Sequence, residues 1–147
     1  DNPVISQDEI PVGLKALTVV ERNGRYHLWA SGTGIAYATS ENGLDWEVHG
    51  NVNFDKKEEG WITNPAVRLH DGTFVLAYTL HHDGTSICFA SSEDGRNWES
   101  GFLPTLDNAA KSSAPMRMDD SWVVWSTQTD VENARWSIWS SRYTPDD

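Results

Sequence analysis

Cysteine is nearly absent from this chain. Its one thiol, Cys88, permits no intramolecular disulfide. Cys88 sits in an apolar strand-like run, where a small buried hydrophobe is expected rather than a nucleophile. Cations are scarce too: 11 Lys and Arg stand against 22 Asp and Glu, a net charge of −11. That balance opposes binding to nucleic acid or to an anionic membrane surface, so neither is expected as a partner. No apolar run has the length of a membrane span, and no segment has the pattern of a secretory signal. The chain opens on Asp1 rather than Met, as expected of a processed secreted or periplasmic protein. No long segment keeps a 3.6-residue apolar period, which leaves little room for helices.

What the chain does contain is turns and tryptophan. It has eight Trp and 11 Gly in 147 residues, enough length for one domain that buries roughly 70% of its unfolded surface. Two segments match closely: Ser40-Glu41-Asn42-Gly43-Leu44-Asp45-Trp46 and Ser92-Glu93-Asp94-Gly95-Arg96-Asn97-Trp98. Both read Ser-x-(Asp/Asn)-Gly-x-(Asp/Asn)-Trp, and their tryptophans are 52 positions apart. A period of that size marks a modular array such as a propeller or a solenoid. Asn-Gly and Asp-Gly form tight turns because Gly accepts positive φ and Asx side chains bond the local backbone.

Short strands fall into place around these turns. In the first unit, residues 17–21, 25–31, 34–40 and 46–52 read as four strands, with Asn23-Gly24 as the first turn. In the second, Pro65 leads into Asp71-Gly72. Residues 74–80 follow and are nearly all apolar, as in a strand covered on both faces. Residues 85–92 and 97–103 complete that unit. The third has residues 114–118, the turn Asp119-Asp120, then 122–127 and 135–141, but no fourth strand. The leader around Val4 and Ile5 is expected to supply it, hiding an open sheet edge.

The fold expected is therefore all-β, a propeller of three four-stranded blades. Its parts are a closing strand in 1–12, blades at 13–53 and 61–104, and an incomplete blade at 111–145, within one domain. Three blades do not close a ring. A homodimer would give six blades; a piece of a larger propeller is the alternative.

With the units aligned, the sequence resembles the propeller glycosidases of families 32 and 43 and, more distantly, sialidase-like propellers. The resemblance rests on Asn64-Pro65-Ala66-Val67, Asp71-Gly72, Leu76-Ala77-Tyr78-Thr79 and the run from Ile87 to Trp98. Ile35 to Ser40 carries it in the first unit. It implies that the Asx-Gly-x-x-Trp turns are structural, and that ligands meet the opposite face, where inner strands begin and second strands turn into third. It also implies acidic residues at the starts of inner strands. Asn64-Pro65, Ser113-Ala114-Pro115 and Lys15-Ala16-Leu17 stand there instead, and Asn cannot serve as the usual nucleophile or base.

The leading functional expectation is thus a glycosidase-like propeller that binds a glycan or small sugar without the usual catalytic carboxylates. Trp61 offers an apolar platform, and Lys15, Asn64, His81, His82, Lys111 and Arg117 offer polar contacts. Only one of His81 and His82 is expected to face the site, since neighbours on a strand point to opposite faces. The enzyme alternative needs a carboxylate pair about 5 Å or about 6.5–9.5 Å apart. It draws on loop acids: Asp8, Glu9, Asp55, Glu58, Glu59, Asp83, Asp107, Asp130 and Glu132, with Asp83 and Asp130 as candidates. A scaffold that binds no small molecule is the third reading. No cofactor is expected, and no spaced ligand motif marks a metal site.

Overall fold

The computed structural model describes residues 3–6, 8–10, 13–57, 59–107, 112–130, 132 and 135–144, with the side chains of 129 and 130 outside that description. Among these residues there is no helix. The first sheet has the order β1 (Ala16–Arg22), β2 (Arg25–Ser31), β3 (Ile35–Ser40), β4 (Glu47–Asn51), antiparallel throughout. The second is built on β6 (Trp61–His70), β7 (Thr73–His81), β8 (Thr85–Ser92) and β9 (Asn97–Ser100). Two short strands extend it. β5 (Asn53–Phe54) runs parallel to β9, and β10 (Leu106–Asp107) pairs β8 at Ile87 and Ser86. The third sheet is β11 (Ser113–Met118), β12 (Ser121–Asp130), β13 (Arg135–Tyr143).

The turn chemistry read from the sequence is what closes these hairpins. Asn23, Asp71 and Asp119 all take φ near +50°, the left-handed region that Asx residues tolerate. The two Ser-x-(Asp/Asn)-Gly-x-(Asp/Asn)-Trp segments close with the same bonds. In the second, Asp94 Oδ1 accepts from the N–H of Arg96 and of Asn97, both at 2.8 Å. Ser92 Oγ accepts from Gly95 N at 2.9 Å. Trp98 Nε1 then donates back to the Gly95 carbonyl at 3.0 Å. In the first, Asn42 Oδ1, Ser40 Oγ and Trp46 Nε1 do the same with Leu44, Asp45 and Gly43.

Packing explains the apolar run of β7. Phe74, Leu76 and Tyr78 face the first sheet, where they meet Trp29, Ile35 and Tyr37. Val75 and Ala77 alternate with them and face the third sheet, meeting Trp122, Val124 and Tyr143. A strand covered on both faces has no polar side. Each large side chain sealed this way contributes about 1.5–3 kcal/mol. Cys88 lies half-buried beside the first of these clusters.

Three local differences from the sequence reading have physical causes. The inner strand of the second unit begins at Trp61, not Pro65, because a bulge between Thr63 and Ala66 absorbs the proline. Its last strand stops at Ser100 rather than running to Leu103. Gly101, at φ +87°, breaks the ladder, and Gly101 N and Phe102 N both donate to the Phe89 carbonyl. Residues 3–6 form no strand within this chain. Ser6 N and Oγ both donate to Glu9 Oε2, making a turn. Ile5 and Ile10 then fill the shallow face left by Ala30, Ala36 and Ala38 on the first sheet.

Candidate functional site

Each sheet has two ends, and the candidate residues divide between them. Trp61 pairs with His81 at one end of the β6–β7 hairpin, and Asp71-Gly72 closes the other. Nine residue steps along β6 separate them by about 30 Å. At the first end lie Trp61, Asn64, His81, His82 and Asp83.

Trp61 is 71% exposed at the start of β6. Two residues on, Thr63 Oγ1 lies 2.8 Å from His81 Nε2. Thr63 pairs across the ladder with Thr79, so His81 is its diagonal neighbour on the same face. Asn64 occupies the bulge at φ +50° and its Nδ2 reaches Thr63 Oγ1 at 3.5 Å. Asn tolerates this region, as Asn23 does in its turn. Gly60 locks the entry to the strand. A Cβ there would lie 2.3 Å from the His81 carbonyl oxygen, so the backbone passes the β7–β8 turn in close contact.

His82 points elsewhere. Its Nε2 lies 3.8 Å from Glu59 Oε2 and 3.8 Å from Asp83 Oδ2. The two imidazoles thus serve different neighbours, as adjacent residues should. Asp83 sits in the β7–β8 turn at φ +48°, its carboxylate fully open to solvent.

Lys15 joins this end. Thr18 Oγ1 accepts from Val67 N at 3.3 Å, fixing β1 beside β6. Three residues back along each chain stand Lys15 and Asn64. Lys15 N–H donates to the Ser31 carbonyl, which leaves its side chain exposed. Asp130 ends β12 opposite Arg135, at the corresponding end of the third sheet, and its side chain lies outside the described residues. Lys111 and Glu58 also lie outside them. Arg117 falls at the other end. It pairs with Trp122 two residues before the Asp119-Asp120 turn, and its guanidinium lies 4.0 Å from Asp120. Trp122 contacts His70, at the turn end of β6. Arg117 is therefore not brought together with Trp61 and Asn64.

Several loop acids are held locally. Glu9 is bound by Ser6, Asp107 Oδ1 accepts from Ser86 Oγ at 3.0 Å, and Asp55 Oδ1 accepts from Ser100 N at 2.8 Å. The Ser100 N–H holds the Asp55 carboxyl below its ordinary range. Among the described residues, no group of three His, Cys, Asp or Glu side chains gathers to hold a metal. Thr63, Gly60 and Glu59 were not singled out as sugar contacts from sequence. Counting the ladder back from Asp71-Gly72 locates Thr63 beside His81, but only once the bulge is known.

The chain has the fold of the propeller glycosidases. It matches the structure of an N-acetylgalactosamine deacetylase from F. plautii in complex with blood group B trisaccharide, with a TM-score of 0.67 at 16% identity, over 90% of this chain and 50% of that one. It matches an α-L-arabinofuranosidase from Clostridium thermocellum with a TM-score of 0.66 at 15% identity, over 89% and 47%. A Bombyx mori family 32 β-fructofuranosidase in complex with sucrose matches with a TM-score of 0.61 at 21% identity, over 89% and 33%. The chain thus spans about half or less of the length of these proteins. No family model and no curated protein matches the sequence.

Proposed function

We propose that the chain binds a glycan or small sugar at the Trp61 end of the second sheet. The observation that carries this reading is the exposed Trp61 ring beside the Thr63–His81 pair and the left-handed Asn64. An aromatic face takes the apolar side of a sugar ring while hydroxyl, amide and imidazole groups bond its hydroxyls. Lys15, just before the neighbouring inner strand, adds a donor. The solved structures matched above include complexes with a trisaccharide and with sucrose, which supports the ligand class.

The same proposal assigns the three sheets to three blades and pairs two copies into six. The open edge of β13 supports pairing, since β13 bonds only β12 among the described strands. The mass in solution tests it: a monomer overturns the closed six-blade ring.

Binding is tested by titrating neutral oligosaccharides into the chain and its Trp61→Ala variant. A loss of at least about tenfold is expected, as for a stacked aromatic anchor. Unchanged affinity would remove Trp61 as the platform. One observation favours the enzymatic reading beside it. Glu59 and Asp83 both approach His82 at 3.8 Å, so their nearest oxygens lie no more than twice that distance apart. That separation is compatible with glycosidase carboxylate pairs. Hydrolysis of an aryl glycoside, lost in Asp83→Asn, is its signature.

A further inference from the structure

At the turn end, far from Trp61, a cleft of about 500 Å³ opens between the first and second sheets. In a chain of net charge −11, it gathers two guanidiniums and two imidazoles. Arg22 is fixed there. Its Nη1 donates to the Gly72 carbonyl at 2.9 Å and the Glu93 carbonyl at 2.7 Å, and its guanidinium lies 4.0 Å above the Phe74 ring. Arg25 Nη2 donates to Thr39 Oγ1 at 3.0 Å, and that oxygen lies 2.7 Å from His49 Nε2.

His27 completes the lining. Tyr37 Oη donates to the Asp94 carbonyl at 3.2 Å, so its oxygen accepts from His27 Nδ1 at 2.7 Å. His27 is only 6% exposed, and its ring stands among the groups that line the cleft. Two guanidiniums and two imidazoles lining one cleft suit an anion, and guanidiniums bind oxyanions well.

We propose that this cleft binds a small oxyanion between Arg22, Arg25 and His27, and that protonation of His27 tightens the binding. The chemistry is that of sulfate, phosphate, or the sulfate ester or carboxylate of an acidic sugar. Guanidiniums recognise such groups through charge-assisted hydrogen bonds. Neutral His27 presents a lone pair at Nε2, whereas the protonated ring presents a donor. Burial and then the Arg22 and Arg25 charges hold unliganded His27 down at about 4. An anion between those charges cancels their field, so binding and protonation favour each other.

The other charged groups facing the cleft set the background. Glu21 on β1 opposes the arginines' effect on His27, and His49 on β4 adds to it. Glu47 lies 4.0 Å from Arg25. On the second sheet, the Asp94 carboxylate is committed to Arg96 and Asn97 in its own turn, while the exposed Glu93 side chain remains to repel an anion.

The test is an NMR titration of the His27 imidazole with sodium sulfate, against sodium chloride at matched ionic strength. A saturable sulfate shift is expected, about fourfold tighter at about pH 5.5 than at about pH 7.5. Arg25→Gln should weaken it at least about fivefold, and Glu93→Gln should tighten it about twofold. Equal response to chloride, no saturation, or indifference to Arg25→Gln overturns the site. A sugar sulfate that binds tighter than inorganic sulfate supports the site and assigns it to acidic glycans; equal affinity supports it and assigns it to the free ion. Trp61→Ala leaves this titration unchanged, so its outcome and that of the Trp61 platform are read separately.

Discussion

The indole N–H of Trp29, on the first sheet, donates to the carbonyl of Gly95, in a turn of the second sheet, at 2.8 Å. The same carbonyl accepts from Trp98 at 3.0 Å. A turn that closes locally in its own sheet thereby docks its neighbour, and Tyr37 adds a bond to the adjacent Asp94 carbonyl. This contact and three other features of the structure lead to measurable outcomes.

Gly95→Ala should cost about 3 kcal/mol in urea unfolding. The residue has φ +83°, and a Cβ would meet Tyr37 Oη at 3.0 Å and Trp29 Cζ2 at 3.1 Å. Gly43, in the matching turn of the first sheet, has φ +77° with nothing within 4 Å. Gly43→Ala should therefore cost only the backbone strain, about 1 kcal/mol. Equal costs would show that the docking contact contributes nothing.

Acid should weaken the fold through His27. Its pKa lies at about 4, below the usual value, chiefly from burial and then from Arg22 and Arg25. The unfolded chain therefore binds the proton more readily. The stability in question is fully present above the unfolded value near 6.5 and is lost as pH falls towards 4, about 3 kcal/mol in all. Thermal melts across that range measure it, and the slope should flatten in His27→Gln.

Asp94 acts lower down the scale. Burial works to raise its pKa, but hydrogen bonds from Asn97, Arg96 and Ser92 outweigh it and hold the carboxyl at about 2. Its contribution is present above the unfolded value near 3.8 and lost as pH falls through about 2. Because the side chain is exposed, solvent screening limits it to about 1 kcal/mol. Asp94→Ala should lose this and the turn bonds together, read as a lower urea midpoint at neutral pH.

The edge of β13 should self-associate. Trp136, Ile138 and Trp139 are 58%, 79% and 55% exposed on a nine-residue strand with no proline or lysine to blunt it. Sedimentation velocity should show concentration-dependent association, and Ile138→Lys should reduce it with stability changed by less than about 0.5 kcal/mol. Association unaffected by this change would exclude the β13 edge.

How far the sequence could be read differs from residue to residue. Strands β2 and β8 match their expected bounds because tight Asx turns and period-2 patterning are local signals. The placement of Trp61, Asn64 and His81 at one end followed from the same hairpin counting. Arg117 lies at the turn end because it stands two residues before Asp119-Asp120, whereas matching Pro115 to Pro65 ignores the bulge that Asn64 and Pro65 occupy. The leader is ambiguous for a different reason: an apolar pair such as Val4 and Ile5 can seal an edge or a face, and within this chain Ile5 packs on the Ala-lined hollow of the first sheet.

Bonds that span three or four residues, such as those of Ser92, Asp94 and Trp98, were determined by the sequence itself, since neighbours along the chain meet whatever the rest of the molecule does. The partners of Trp29 and Arg22 lie fifty or more positions away. Only the stacking of one sheet on the next decided those, because apolar burial selects a face without naming the residue across it.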